Sequence, residues 1–438
     1  MFLHAALFLL LAGDVASDLQ GALQRAGIAR DGLGVLVGEA GGRTLLAVSP
    51  DTPRIPASNQ KVVTAALALD RLGHEFRFRT RFGRAPDGTL VVVGDGDPNF
   101  SGRFFEGDPT RVLRAIARDL KKRGVARVEN GILLDVSRFD DEVRHPDWPA
   151  DQLDKWYCAP VAALVYNDSC HDIIVQPGPR AGGPAVVRVE PGLAPTPLVN
   201  ASITVSDRSR HVLRLRWVED RLRVEGGVWT GSSGFKNHFA VRDPALFFGA
   251  SLKGALVAEG VPVEGNVRKG RATEGEEIVV FRTDLARTLK VMLTNSQNLY
   301  AECLFKRAGG GSFAAAGDAV RKLPGLENVV ARDGSGMSRG NLISPRALYA
   351  VLQRLRDDEM FVQALAAGGE GTLRKRYRDL GVRLRAKTGY IRGVSTLSGY
   401  VTSAGGKRYV FAILCNGKAM GRARRLQDLV VQTLARAR

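Results

Sequence analysis

A serine and a lysine stand three positions apart in the stretch Ser58-Asn59-Gln60-Lys61. Three positions are about one helical turn, so both side chains share a face if this stretch opens a helix. A neutral amine can accept the proton of a neighbouring hydroxyl and turn that hydroxyl into a nucleophile. Backbone N–H groups at a helix start also favour negative charge that develops during a reaction. The spacing therefore predicts a serine nucleophile with its own base.

The same residues also fit a structural role. Serine is a common helix cap, and Lys61 fits an ordinary surface lysine. A Ser-x-x-Lys spacing is expected by chance about once or twice in a chain of this size. The choice between the two interpretations depends on the rest of the chain.

The residues around this stretch predict where the helix begins. Pro53 and Pro56 precede it and disfavour helical backbone before about residue 57. Apolar residues then recur at helical spacing as far as Leu72, and Gly73 provides an end. Ser58 is therefore expected at, or next to, a helix N-terminus.

A second motif combines a hydroxyl and an amide. Ser296-Gln297-Asn298 lies on a predicted loop, directly before a helix predicted over residues 299–307. Taken alone, Ser296 and Asn298 also fit ordinary helix caps.

A third motif supplies a second lysine. Lys387-Thr388-Gly389 ends a stretch, residues 382–389, in which apolar and polar residues alternate as in a strand. Taken alone, Thr388 also fits an ordinary strand residue.

The two ends of the chain predict the elements that position these motifs. A hairpin is predicted over 33–37 and 44–48, and two strands over 396–401 and 407–414. A final helix is predicted over 421–438. We therefore predict an α+β fold with one antiparallel five-stranded sheet, built from both chain ends and flanked by helices.

The strand patterns in the middle of the chain predict a segment inserted into the domain that both chain ends form. We predict a discontinuous catalytic domain, residues 18–80 and 266–438, and a mainly β insertion, residues 81–265. Residues 1–12 are almost wholly apolar, and Val15-Ala16-Ser17 follows with small residues at the positions that a signal peptidase reads, so residues 1–17 are predicted to be a secretory signal peptide. No other apolar run reaches the length of a membrane span.

The chain is strongly basic, with a formal charge of +18. Its Lys and Arg residues are spread along the chain and no nucleic-acid-binding module is recognisable, so nucleic acid is not expected as a partner. Two explanations stay open: peripheral attraction to an anionic cell envelope, or compositional bias without a function.

The sequence indicates no metal or organic cofactor. No Cys-x-x-Cys pair occurs among Cys158, Cys170, Cys303 and Cys415, although the first two are close enough in sequence for a local disulfide. Acidic residues near Asp95 have the spacing of a calcium loop. Phe100 occupies the position that needs glycine, so calcium is rejected.

In this order and on these predicted elements, the three motifs resemble those of the penicillin-recognising serine enzymes. The large insertion between the first two motifs narrows the resemblance to the D-alanyl-D-alanine carboxypeptidase/endopeptidase family, which carries two extra domains there. The resemblance therefore implies that residues 81–265 form two subdomains. Nearly the whole mature chain is similar to that family. Further matching stretches are residues 94–98, 157–164, 333–338, 371–373 and 393–400.

The resemblance implies a catalytic role for each of five residues. Ser58 is the nucleophile that becomes acylated, and Lys61 is its base. Ser296 relays the proton to the leaving amine, and Asn298 orients Lys61 and binds the substrate amide. Lys387 keeps the pKa of Lys61 low and attracts the terminal carboxylate of the substrate.

Substrate binding is expected at Thr388, Gly389 and Tyr390. The resemblance implies that Thr388 offers a hydroxyl to the carboxylate, and that the backbone N–H groups of Ser58 and Tyr390 form the oxyanion hole. Many relatives carry a small hydroxyl residue where this chain has Tyr390. We therefore expect weaker or rearranged recognition of the carboxylate.

The implied activity is that of an exported, periplasmic serine D-Ala-D-Ala carboxypeptidase/endopeptidase. Its partners are peptidoglycan peptides ending in D-Ala-D-Ala, with β-lactams as covalent inhibitors. One alternative is a β-lactamase, but no Glu-x-x-Leu-Asn pattern lies between Asn298 and Lys387. Another is a non-catalytic peptidoglycan-binding scaffold, which the complete motif set argues against.

A rival nucleophile is Ser338, in Gly336-Met337-Ser338-Arg339-Gly340, which fits the elbow pattern of α/β-hydrolases. That elbow needs a strand directly before it and a helix directly after it. The preceding residues are turn-like, so this interpretation is disfavoured.

Overall fold

The computed structural model describes residues 14–29, 31–272 and 275–438. Within these residues the chain is a mixture of helices and strands, which confirms the predicted α+β class. Most of the predicted signal peptide lies outside the described residues.

The helices are, in chain order, α1 (Val15–Ala26), α2 (Gln60–Leu72), α3 (Thr110–Lys122), α4 (Pro244–Ala258), α5 (Leu285–Thr294), α6 (Asn298–Gly309), α7 (Phe313–Arg321), α8 (Pro345–Arg354), α9 (Glu359–Ala364) and α10 (Met420–Arg436). Every helix in the described part of the chain is too short or too polar to cross a lipid bilayer.

The strands are β1 (Leu33–Glu39), β2 (Thr44–Val48), β3 (Arg77–Arg84), β4 (Leu90–Val93), β5 (Ile132–Asp135), β6 (Cys170–Gln176), β7 (Val186–Glu190), β8 (Leu198–Val205), β9 (Val212–Val218), β10 (Arg221–Trp229), β11 (Phe235–Ala240), β12 (Val267–Lys269), β13 (Glu276–Asp284), β14 (Ala366–Ala367), β15 (Leu384–Ile391), β16 (Val394–Thr402) and β17 (Arg408–Asn416).

The chain divides into two compact units. The first contains the described residues up to Ala66, together with Lys290–Ser296 and Val320–Arg438. The second contains Leu67–Leu289 and Gln297–Ala319. The assignment of a catalytic domain to 18–80 and 266–438, and of an insertion to 81–265, stays a prediction.

One antiparallel sheet forms the centre of the first unit. Its strand order is β14-β15-β16-β17-β1-β2, so the hairpin from the chain start pairs with strands from the chain end, as expected. The prediction of five strands was one short, because the two-residue strand β14 pairs with the edge of β15. A segment this short carries no alternation of apolar and polar residues that could reveal a strand.

Helices α1 and α10 cover one face of this sheet. Leu19 and Leu23 of α1 pack with Leu426 and Val430 of α10 in one buried cluster, against residues of the central strands such as Ile413. This packing leaves the opposite face of the sheet for helix α8 and for the turn that carries Ser58.

The described residues of the second unit include two large apolar cores. A mixed sheet, β12-β5-β4-β3-β13, packs with helices α3 and α4 around one of them. Two three-stranded sheets, β8-β10-β9 and β11-β6-β7, enclose the other. The strand-rich middle of the chain was predicted from its short, regularly spaced apolar stretches.

All four cysteines lie within the described residues, and each is a buried thiol. The local disulfide considered for Cys158 and Cys170 is therefore not formed. Burial also raises the pKa of the Cys170 thiol, which disfavours the reactive thiolate.

Candidate active site

Ser58 lies in a single 3₁₀ turn, Ala57–Asn59, that leads directly into α2. Ala57 begins the turn with φ of +46°, a backbone conformation that residues other than glycine rarely adopt. The Ser58 hydroxyl accepts a hydrogen bond from Lys61. An ordinary helix cap would instead accept from backbone N–H groups of the first helical turn.

Side chains of β16 anchor this turn. The Asn59 amide donates to Thr396 Oγ1 at 2.6 Å, and Ser398 Oγ donates to Asn59 Oδ1 at 2.5 Å. Thr396 in turn donates to the Pro56 carbonyl at 2.8 Å. All three polar side chains are buried, so these hydrogen bonds fix the backbone on both sides of Ser58.

Lys61 is fully buried, so the interpretation as a surface lysine is wrong. Its Nζ donates to Ser58 Oγ at 3.2 Å and to the Ser335 carbonyl at 2.8 Å. These contacts place the amine within hydrogen-bond reach of the hydroxyl, as a base for Ser58 requires.

The loop that supplies the Ser335 carbonyl is organised around Asp333. This buried carboxylate accepts from the backbone N–H groups of Gly336 and Ser338, at 2.8 and 2.6 Å, and from the Asn341 amide at 2.8 Å. Residues 333–338 are one of the stretches that resemble the family, but their sequence gives them no role. The structure shows that they hold the acceptor of the Lys61 amine.

Lys387 forms a second centre in the first unit. Its Nζ, buried on strand β15, donates to Ser296 Oγ at 2.9 Å and to the Thr388 carbonyl at 2.7 Å. Ser296 is only half-buried and has φ of +60°. Burial, and then the charge of the nearby Lys61, lower the pKa of Lys387 well below the usual lysine value.

Gly389 allows β15 to run beside the turn that carries Ser58. A Cβ atom at this position would lie 2.1 Å from Thr396 Oγ1, 2.9 Å from the Pro56 carbonyl oxygen and 3.0 Å from the Ser58 backbone nitrogen. Any side chain at residue 389 would therefore push the strand away from the nucleophile.

The two remaining residues predicted to bind substrate lie beside this strand contact. Thr388 is half-buried. Tyr390 is 58% exposed, and the Arg424 guanidinium lies 5.4 Å from its ring centroid. The tyrosine ring is thus held by a cation–π contact on the outer side of the strand.

The first unit brings together four of the five predicted catalytic residues: Ser58 with Lys61, and Ser296 with Lys387. The two lysines are linked by the charge interaction that lowers the pKa of Lys387. Asn298 begins α6 in the second unit, where its amide donates to the Tyr157 carbonyl at 2.8 Å.

The rival nucleophile does not fit its motif. Ser338 is fully buried, and its Oγ accepts from the Gly340 backbone N–H at 3.0 Å. It lies in a loop, without a strand directly before it or a helix directly after it among these described residues. The elbow interpretation is therefore wrong.

The acidic stretch near Asp95 makes contacts within the protein. Asp95 accepts from Arg307 at 2.8 Å and from the Arg79 backbone N–H at 3.0 Å. Asp97 accepts from Thr283 at 2.8 Å, and burial raises its pKa to about 6. Among the described residues, no cluster of three or more His, Cys, Asp or Glu is arranged to hold a metal ion.

The sequence interpretation missed Asn59, Ser335 and Asp333 as parts of this site. Asn59 stood inside the first motif, but nothing in the sequence pairs it with β16. Ser335 contributes only a backbone carbonyl, which any residue type could supply.

A family model described as the D-Ala-D-Ala carboxypeptidase 3 (S13) family matches residues 15–437. A D-alanyl-D-alanine carboxypeptidase from Actinomadura sp. (strain R39) is 29% identical over 448 residues, which cover 92% of this chain and 80% of that relative.

Solved structures share the fold. The crystal structure of penicillin binding protein 4 (dacB) from Haemophilus influenzae has a TM-score of 0.80 at 23% identity, over 96% of this chain and 99% of that one. The same protein complexed with a novel β-lactam has a TM-score of 0.74 at 22% identity, with the same coverage.

Proposed function

The chain belongs to the D-Ala-D-Ala carboxypeptidase 3 (S13) family, and we propose that it is exported and cleaves D-alanyl peptides of the cell wall with Ser58 as nucleophile. The observation that carries the proposal is the pairing of Ser58 Oγ with the buried Lys61 amine at 3.2 Å. A hydroxyl with an amine at this distance is the arrangement that nucleophilic catalysis needs.

In the first step, Ser58 Oγ attacks the carbonyl carbon of the penultimate D-alanine while Lys61 accepts the hydroxyl proton. The base must be neutral, and two buried amines side by side disfavour the state in which both carry a proton. Lys61 is assigned as the base because its amine is the one that contacts the Ser58 hydroxyl. Lys387 is the neighbouring amine, and its presence disfavours protonation of both amines at once.

The C–N bond of the tetrahedral intermediate then breaks, and the terminal D-alanine leaves as an amine after receiving a proton. Ser296 is the relay for that proton, since its hydroxyl accepts from Lys387. Water hydrolyses the Ser58 ester in the second step. The oxyanion of both steps is assigned to the backbone N–H groups of Ser58 and Tyr390, which the close approach at Gly389 supports.

Recognition of the substrate carboxylate is assigned to Lys387 and the Thr388 hydroxyl. Asn298 is assigned to the substrate amide, a role that rests on its place in the second motif. Tyr390 is directed outward against Arg424, so it adds no hydroxyl to the carboxylate site. We therefore expect a high KM for stem peptides that end in D-Ala-D-Ala.

The test is release of D-alanine from a defined stem peptide ending in D-Ala-D-Ala. The wild-type protein is expected to release it, and Ser58→Ala to be slower by at least about 10³-fold. Ser338→Ala is the matched control and is expected to keep its activity. Undiminished release by Ser58→Ala would reject the assignment, and no release by the wild type would favour a non-catalytic scaffold.

We further propose that cross-linked muropeptides are substrates, because a D-alanyl cross-link presents the same acyl group with a longer leaving amine. Chromatography of cross-linked muropeptides after incubation should show monomers. β-Lactams present a comparable acylating amide and are proposed to block Ser58. Rapid turnover of a chromogenic cephalosporin would instead favour the β-lactamase alternative.

A further inference from the structure

The three-stranded sheet β8-β10-β9 of the second unit has one buried face and one exposed face. Alternate residues point inward, and Leu222 and Val224 are fully buried in an apolar core together with the partly buried Leu215 and Trp217. The opposite set of residues faces solvent. Successive strand residues alternate between the faces, so the exposed face is fixed by the same register as the core.

The exposed face carries arginines in adjacent rows. Arg223 is paired with Arg216 across β10 and β9, and Glu225 with Arg214 in the next row. Arg221 lies opposite Val218, and Arg210 borders the same surface. We call this surface the arginine face and define it by Arg210, Arg214, Arg216, Arg221 and Arg223.

The carboxylate of Glu225 offsets only part of this charge. It accepts hydrogen bonds from Arg216, at 3.2 and 3.3 Å, and from Arg223 at 2.8 Å. Among the described residues, Arg210, Arg214 and Arg221 make no ion pair with a carboxylate. Three cations on one surface are thus available for an anionic partner.

Exposed aliphatic side chains accompany the arginines. Ile203 and Val212 flank Gly227 in one row and are 38% and 55% exposed, and Val218 is 39% exposed. Since Gly227 has no side chain, a shallow depression of about 470 Å³ lies between them. Binding at a lipid interface depends on the apolar area that is buried there and on attraction to anionic lipids, and this surface offers both apolar side chains and cations.

We propose that the arginine face docks the protein on an anionic phospholipid bilayer. The arginines attract the headgroup phosphates, and Ile203 and Val212 enter the boundary between headgroups and acyl chains. The formal charge of +18 on the whole chain supports attraction to the same surface. A soluble polyanion would use the arginines but leave the aliphatic side chains exposed, so the bilayer accounts for both features.

Co-sedimentation with vesicles tests this proposal. The purified protein is expected to bind vesicles that contain both phosphatidylglycerol and phosphatidylcholine, and not to bind vesicles of phosphatidylcholine alone. Added salt should release the bound protein. The variant with Arg210→Gln, Arg214→Gln and Arg221→Gln should bind at least about tenfold more weakly. Gln is chosen because Glu would add a repulsion next to Glu225.

The matched control removes three other exposed cations of the second unit, with Arg81→Gln, Lys122→Gln and Arg123→Gln. Equal loss of binding in this control, or no vesicle binding by the wild type, would overturn the proposal. A second variant, Ile203→Ser with Val212→Ser, should weaken vesicle binding several-fold. If it binds vesicles as tightly as the wild type, the bilayer is not the occupant and a soluble polyanion is favoured.

Release of D-alanine from a soluble peptide serves as the folding control for all these variants. The substituted residues lie outside the proposed catalytic machinery, so this activity should be unchanged. Loss of vesicle binding with intact peptidase activity separates failure of the docking proposal from failure of the proposed function.

Discussion

Lys387 is fully buried, and its burial has opposite consequences for chemistry and for stability. Burial and the neighbouring Lys61 lower the pKa of Lys387 in the folded protein below the ordinary lysine value of 10.5. At a pH between the pKa of Lys387 in the folded protein and its pKa in the unfolded chain, the unfolded chain binds more protons than the folded protein. Stability therefore rises with pH across this interval, and is reduced at neutral pH.

Lys387→Met removes the titrating amine and leaves an unbranched apolar side chain in its place. We expect the variant to unfold at a temperature equal to or above that of the wild type at neutral pH. The difference should shrink as the pH approaches 10.5, because the wild type then recovers stability. Thermal unfolding measured across this pH range tests the prediction, and a difference that grows with pH would contradict it.

The same variant should lose acylation of Ser58 by roughly 10²-fold or more, because no second buried amine then disfavours protonation of Lys61. Stability and reactivity are thus expected to change in opposite directions. A merely structural lysine would lower both together.

Two elements position the reacting groups: the turn before α2 carries Ser58, and strand β15 carries Lys387. They are joined by buried hydrogen bonds through Asn59 and Thr396, and by the close approach at Gly389. Loss of this alignment is expected to affect acylation more than folding, because the sheet core lies on the other face, under α1 and α10.

Gly389→Ala tests the alignment. The new methyl group would lie 2.1 Å from Thr396 Oγ1, so either the turn or the strand must shift. We expect the rate of acylation by benzylpenicillin to fall by about 10²-fold, with the far-UV circular dichroism spectrum retained. Gly421→Ala in α10 is the matched control, since its methyl group meets no atom within 4 Å. Equal acylation rates in both variants would show that acylation does not depend on this alignment.

Regular elements were predictable from the sequence because their patterns are local. The hairpin β1–β2, the helix after Ser58 and the strand with Lys387 all follow apolar spacing and turn residues. Strand β14 was not predictable, because its two residues pair only through the edge of β15. The contacts of Asn59 with Thr396 and of Lys61 with the Ser335 carbonyl join residues more than 270 positions apart, and no local pattern encodes them.

The first unit contains an antiparallel sheet built from strands near both ends of the chain, and the second unit is rich in strands. The three motifs in order identified the family, since a combination of spaced motifs is far more specific than any one of them. The boundaries of the compact units were not predictable. Helices α2, α5 and α7 each run across a unit boundary, and a continuous helical pattern gives no sign of such a boundary.

The proposed export leads to a prediction about the first residue of the mature chain. Cleavage after Ser17 would keep every buried residue of α1, the first being Leu19. We expect the protein recovered from the periplasm to begin at Asp18, as N-terminal sequencing or intact mass can show. A cell-associated protein that retains Met1 would contradict the proposed export.

The most direct measurement is mass spectrometry of the protein after incubation with benzylpenicillin. We expect one covalent adduct, located on the peptide that contains Ser58, and none in the Ser58→Ala variant. An adduct at another serine, or an unmodified wild-type protein that still releases D-alanine, would contradict the assignment of Ser58 as the nucleophile.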